Sequence, residues 1–361
     1  MFSKGLNPRA KGMAYGIKGA SSYDWFDDES EMATAAANGL LVSNHSYGNV
    51  AGWDYNDDSS RWEYNGKWNE KEDFKFGYYD DGAQAMDSIA YNAPNYLIIA
   101  AAGNNRTSVG PAVGQTYWRR NESGRMINAG ARPADLSSND SYGSISTDKN
   151  AKNVLTVGAV YGIPSEYNKK EDVVISNFSS WGPTDDGRIK PDIVAQGVSV
   201  YAPIASNDSS YGYLSGTSMA APSAAGSLLL LQELGHRFTL NGAPRVLKSA
   251  TLKGLAIHTA NEAGLYPGPD YKFGWGLLNV AEAAQVLNTA FTNNNSATSP
   301  HFVYENTLLN GESKTYTIIA SGTRPVKATI VWTDIKGSSS EVLNDANPEL
   351  VNDLDLLITQ G

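Results

Sequence analysis

A serine stands at the head of an apolar helical run in Gly216-Thr217-Ser218-Met219-Ala220-Ala221-Pro222. Ser215-Gly216-Thr217 is a small, backbone-exposing approach, and Met219 to Leu231 is largely apolar, so Ser218 falls where a helix begins. The first N–H groups of a helix lack carbonyl partners, and the helix dipole is positive there. Negative charge developing beside Ser218 is therefore favoured, as a serine nucleophile attacking a carbonyl requires. Pro222 is expected within about the first turn, where its missing N–H costs little. The same residues also make an ordinary capped helix start, so the stretch gains meaning only beside a second one.

That second stretch is Leu97-Ile98-Ile99-Ala100-Ala101-Ala102-Gly103-Asn104. An apolar run bounded by Pro94 and Gly103 reads as a strand buried on both faces. Its carboxyl end, where open α/β sheets place their sites, delivers Asn104. An amide there can donate to the oxyanion of a tetrahedral intermediate, together with the Ser218 N–H. A plain turn asparagine would use the same Gly-Asn pair.

Together these elements resemble the subtilisin-like serine peptidases, the subtilase superfamily. The resemblance extends, in the family's order, through Ser43-Asn44-His45-Ser46-Tyr47-Gly48, Ala101-Ala102-Gly103-Asn104 and Val154-Leu155-Thr156-Val157-Gly158-Ala159. It continues through Asn177-Phe178-Ser179-Ser180-Trp181-Gly182-Pro183, Gly216 to Pro222, and Gly274-Trp275-Gly276-Leu277-Leu278-Asn279. The resemblance implies Ser218 as nucleophile and Asn104 as the side-chain oxyanion donor. It implies that Ser46, Tyr47 and Gly48, with Ala102 and Gly103, hold the substrate backbone as an added β-strand. Ala195-Gln196-Gly197 departs from the family's Ala-Pro-Gly.

The family's triad runs Asp, His, Ser. None of the 4 histidines (His45, His236, His258, His301) stands in a His-Gly-Thr-His context. Asn7 to Gly16 is similar to the segment following the family's catalytic-histidine helix, so the chain is expected to begin just after its base, with no secretory leader before it. A serine without a base is a poor nucleophile, and in subtilisin loss of the histidine costs about 10⁶ in turnover. The whole enzyme is read as an exported bacterial serine endopeptidase acting on polypeptides, and this chain alone as inactive. A catalytically dead scaffold that binds peptides is the alternative. A hydrolase using His258 after the nucleophile is a third reading, weakened because Ala220 stands where Gly-x-Ser-x-Gly needs its second glycine.

Composition bounds these readings. With 361 residues and 41% hydrophobic content, the chain can bury one large core and a smaller module. The 35 glycines suit many tight turns, and zero cysteines exclude disulfide and thiol chemistry. A net charge of −10 argues against nucleic acid or anionic membrane as partner. No apolar stretch approaches the roughly 20 residues of a membrane helix. A monomer located outside the cell is expected.

Helices alternate with buried strands: Glu29–Asn38 then Leu40–Ser43, and Asp81–Asn92 then Tyr96–Ala101. This implies an α/β fold, a parallel sheet flanked by helices. Strands are also expected at Val154–Val160 and Asp192–Ala195, with helices at Ser218–His236, roughly Pro244–His258, and Val280–Val286. Residues 1–290 form the catalytic domain, lacking its N-terminal part, and the polar, breaker-rich stretch at 291–300 is a linker. Residues 301–361 turn to period two at Thr315–Ile319 and Lys327–Trp332, the opening strands of a partial, jelly-roll-like β-sandwich, too short to be complete.

The segment at about 53–79 is dense in aromatics (Trp53, Tyr55, Trp62, Tyr64, Trp68, Phe74, Phe76, Tyr78, Tyr79) and least like the family. It either walls the substrate cleft or packs on itself, and burial of aromatics favours the second. The 105–153 stretch gives no pocket base. No cofactor is needed for the chemistry, although structural calcium is expected on Asp353 and Asp355, two residues apart on one strand face. Asp54, Asn56, Asp57 and Asp58 resemble an EF-hand start that lacks its glycine, with Ser59 in its place.

Overall fold

Every side chain of Leu97-Ile98-Ile99-Ala100-Ala101 is buried, and alternation divides them between two cores. Leu97, Ile99 and Ala101 face one apolar cluster, while Ile98 and Ala100 face another. A strand buried on both sides must be sandwiched between helices, and the rest of the chain supplies them. The computed structural model describes residues 7–323, 325–340 and 342–360.

In chain order the elements are α1 (Asp28–Ala37), β1 (Val42–His45), β2 (Trp53–Asn56), β3 (Arg61–Tyr64), α2 (Asp81–Asn92), β4 (Leu97–Ala101), β5 (Thr116–Arg120) and β6 (Met126–Ala131). They continue as β7 (Leu155–Val160), β8 (Ile193–Gln196), β9 (Val200–Pro203), β10 (Tyr211–Leu214), α3 (Thr217–Gly235), α4 (Ser249–His258) and α5 (Val280–Thr292). The main sheet has the order β1-β4-β7-β8, with all pairs parallel. Its α3 side carries Ala220, Ala221, Ala224 and Ala225, small residues that let the helix approach the strands, and Leu228, Leu252 and Leu287 fill the layer behind. Met32 of α1 and Ala83, Met86 and Ala90 of α2 cover the other face. This is the expected α/β architecture.

A second sheet, β2-β3-β5-β6, joins the aromatic segment to the 105–153 stretch. Trp53 and Tyr64 are fully buried in it against Tyr117 and Leu136. Trp53 Nε1 donates to the Ser137 carbonyl at 2.7 Å, and buried Asn139 bonds both the N–H and the carbonyl of Trp53. The self-packed reading of these aromatics describes Trp53 and Tyr64.

Several boundaries differ from expectation. β1 lies at Val42–His45, two residues beyond the expected Leu40–Ser43, because its register pairs Val42 with Leu97 and His45 with Ala100. α4 starts at Ser249, since Pro244 is held in a short antiparallel ladder (Thr239 with Pro244, Leu240 with Ala243). That ladder turns through Asn241 and Gly242, both with positive φ, the signature of a tight hairpin. α5 runs on to Thr292.

After α5 no helix or strand forms among the described residues, so neither Thr315–Ile319 nor Lys327–Trp332 is a strand here. An alternating segment becomes a strand only when another strand takes its N–H and carbonyl groups. Part of this region instead docks on the α/β body. Asp334 is buried, accepts from Lys152 Nζ at 2.8 Å and from the Asn352 N–H at 3.0 Å, and exchanges backbone bonds with the Asn153 side chain.

Candidate active site

The carboxyl end of β4 meets the amino end of α3. Gly103 has φ +114, and a Cβ there would stand 2.9 Å from Ser180 Oγ, so glycine is required. The turn leaves Asn104 on the surface beside α3. Asn104 Oδ1 accepts from the Thr217 N–H at 2.8 Å and from the Thr217 hydroxyl at 2.9 Å. The Thr217 hydroxyl in turn accepts from the Gly103 N–H at 3.1 Å. With its oxygen engaged twice on Thr217, the Asn104 amide has a single orientation, and its NH₂ is left to donate elsewhere.

Ser218 is the second residue of α3 and is half-buried. The Met219 N–H bonds the Gly216 carbonyl and the Thr217 N–H is taken by Asn104, which leaves the Ser218 N–H without an intrahelical carbonyl. The Ser218 hydroxyl donates to the Ser46 carbonyl at 3.3 Å, and the Ser46 hydroxyl donates to the Ser218 carbonyl at 3.1 Å. Pro222 explains the second bond. It lies in the second turn of α3, not the first as expected, and its missing N–H would have bonded the Ser218 carbonyl.

A cavity of about 150 Å³ opens beside Ser218. The expected residues Ser46, Tyr47, Gly48, Ala102, Gly103 and Asn104 all line it, as do Thr217 and Ser218. Residues without a motif complete it: Val50, Ala51 and Phe76 from around the aromatic segment, and Ser144, Ser146 and Lys149 from the 105–153 stretch. Thus the aromatic segment both packs on itself and sends Phe76 to the cavity wall. Ser180 also lines it, and the Asn177–Pro183 motif was the one signal that pointed to any of these additions.

The loop after β8, where Gln196 replaces the family's proline, is tied to the head of α3. The Gly216 N–H donates to the Gly197 carbonyl at 2.8 Å, and a Cβ on Gly197 would meet Ala159 at 2.6 Å.

The family model described as "Subtilase family" matches residues 2–276 of the chain. This chain belongs to the subtilase family. Among curated relatives, it is 44% identical to C5a peptidase from Streptococcus pyogenes serotype M3 over 84 residues, 23% of this chain and 7% of that protein. Pyrolysin from Pyrococcus furiosus is 34% identical over 119 residues, 32% of this chain and 8% of that protein. The matched regions therefore span less than a tenth of these relatives' lengths. Among solved structures, the prenylagaramide maturation protease PagA aligns with a TM-score of 0.39 at 20% identity, over 75% of this chain and 70% of that one.

A subtilase serine works with a histidine, and none of the four here lines the cavity. His45 follows β1 alternation away from Ser46 and is buried. Its Nε2 pairs with Ser43 Oγ and its Nδ1 with the Tyr47 hydroxyl, each at 2.7 Å. Burial pushes its pKa down to about 4. The Tyr47 hydroxyl donates onward to Asp28 at 2.8 Å. His258 ends α4 and engages Thr329. His236 caps the far end of α3, about 27 Å along the helix from its start.

Among the described residues no group of three or more His, Cys, Asp or Glu is placed to hold a metal ion. Asp353 and Asp355 are exposed, and the segment that holds them is not a strand. The EF-hand-like stretch is a hairpin, in which Asn56 bonds Glu63 and Ser59. No described helix is long and apolar enough to cross a membrane.

Proposed function

We propose that this chain carries the nucleophile and oxyanion site of a secreted subtilisin-like serine endopeptidase. Ser218 Oγ attacks the scissile carbonyl. The oxyanion forms between the Asn104 NH₂ and the Ser218 N–H. Ser46 to Gly48, continuing edge strand β1, pair with the polypeptide on one side, and Ala102 and Gly103 face it on the other. The observation that carries this reading is the double engagement of Asn104 Oδ1 by Thr217, which fixes the amide with its donors free next to Ser218.

The attack releases a proton that no described histidine can take from Ser218. We assign that role to a histidine, oriented by an aspartate, outside these 361 residues, and expect the chain by itself to turn over very slowly. Its location outside the cell and its action as a monomer belong to the same proposal.

The test is labelling by a fluorophosphonate probe of this chain and of a chain extended upstream along its gene, each beside Ser218→Ala. Fast labelling of the extended chain, dependent on Ser218, supports the reading. No labelling of either folded chain overturns it in favour of a peptide-binding scaffold. Fast labelling of the short chain overturns the assignment of the base.

A further inference from the structure

The cavity beside Ser218 has one charged group on its wall. Lys149 lines it, and among the described lining residues there is no Asp, Glu, Arg or His. Lys149 belongs to the short turn Thr147–Asn150, which is held firmly on two sides. Its carbonyl accepts from the Thr156 hydroxyl of β7 at 2.7 Å, and Asn150 Nδ2 donates to the carbonyls of Tyr78 and Ile145 at 3.0 and 3.1 Å. The lysine is 4% exposed.

Its ammonium lies against Gly48, where a Cβ would collide with Nζ. Gly48 lines the same cavity. The charge therefore reaches the segment expected to hold the substrate backbone. Its hydrogen-bond partner is Asp148 Oδ1 at 2.9 Å, an atom that also accepts from the Thr147 hydroxyl at 2.9 Å. An ammonium has three N–H donors, so Asp148 satisfies only part of its capacity. Asp148 is not among the lining residues, although its Oδ1 stands 3.7 Å from the same point beside Gly48, so the wall itself carries the cation and its partner anion lies just beyond.

We propose that Lys149 makes this cavity a pocket for an acidic side chain, glutamate or aspartate, on the residue that donates the scissile carbonyl. This rests on the cleft reading above and adds the substrate class to it. A carboxylate entering this cavity completes the ammonium's bonds with a charge-assisted contact. An apolar side chain would leave those donors buried and dry. Ser144, Ser146 and Ser180 add hydroxyls to the same walls, while Phe76 and Val50 cover the methylenes of the incoming chain.

The test uses binding, so it does not depend on turnover. Fluorescent peptides that differ only in ending with Glu, Gln, Leu or Lys are titrated onto the full chain, and anisotropy gives Kd. The Glu-ended peptide is expected to bind about 10- to 100-fold more tightly than its Gln-ended isostere, the range of one charge-assisted bond. Lys149→Met should bring the two together. Should that variant misfold because Asp148 loses its partner, the Glu/Gln comparison on the unaltered chain decides by itself. Equal or reversed affinities there overturn this proposal. If such unselective binding accompanies Ser218 labelling of the extended chain, the peptidase reading survives. If no peptide binds the folded chain and Ser218 is never labelled, both fall.

Discussion

The Ser46 hydroxyl donates to the carbonyl of Ser218 at 3.1 Å, the carbonyl that Pro222 leaves without its helical partner. The proline thus does more than fit an early helical turn. It frees one acceptor at the head of α3, and the residue after β1 takes it. The reciprocal bond from the Ser218 hydroxyl to the Ser46 carbonyl fastens the same two segments.

This pairing makes a double-mutant prediction. Ser46→Ala should destabilise the chain by about 1 kcal/mol, the net value of one such bond. In a Pro222→Ala background the new N–H can bond the Ser218 carbonyl, so the same substitution should cost measurably less. Urea unfolding of the four variants gives the coupling, and strict additivity would show that the two groups do not share this acceptor.

Thr217 holds Asn104 Oδ1 through both its N–H and its hydroxyl. Thr217→Val keeps the shape but removes the hydroxyl that donates to Asn104 and accepts from Gly103. The amide should then lose its fixed orientation. In the extended chain, Ser218 should react more slowly with fluorophosphonate, by less than the about 10²–10³-fold loss seen when subtilisin loses its oxyanion asparagine. Asn104→Ala provides the full-loss reference. A Thr217→Val rate equal to wild type would show that the amide holds its orientation without the hydroxyl.

His45 gives the fold an acid limb. Its folded pKa is depressed to about 4 from 6.5 by burial, so between these values the unfolded chain binds the extra proton. Stability contributed by the neutral imidazole is therefore full above pH 6.5 and falls as pH drops towards 4, by about 3 kcal/mol in all. His45→Gln should flatten this limb of the stability profile between pH 7 and 4, checked by denaturant melts across that range. An unchanged slope would place the acid sensitivity on other groups.

Trp53 anchors the second sheet from a fully buried position against Tyr64 and Tyr117. Trp53→Ala should cost about 3–5 kcal/mol, as removal of a buried aromatic does. Hydrogen exchange should show the loss first in β2, β3, β5 and β6, and only later in the main sheet. Uniform loss of protection would mean that the two sheets unfold as one unit.

The elements of the main sheet were legible because their signals are local. The apolar run Leu97–Ala101 says by composition alone that both its faces are covered, and Asp81–Asn92 carries its own start and stop. That Ser218 stands at a helix head and Asn104 just past a strand end was legible for the same reason, since both positions are read from neighbours in sequence. Asn241-Gly242 was an equally local hairpin signal that the helix expectation from Pro244 passed over.

Other features were decided only in three dimensions. Trp53–Asn56 and Arg61–Tyr64 share a sheet with Thr116–Arg120 and Met126–Ala131 because β3 and β5 lie side by side in parallel, a pairing between distant segments that no local pattern encodes. Lys149 reaches Gly48 across about a hundred intervening residues for the same reason. The strands expected after Thr292 show the limit from the other side. Alternation states which face a strand would bury, but a ladder needs a partner's N–H and carbonyl groups, and a segment's own sequence does not supply them.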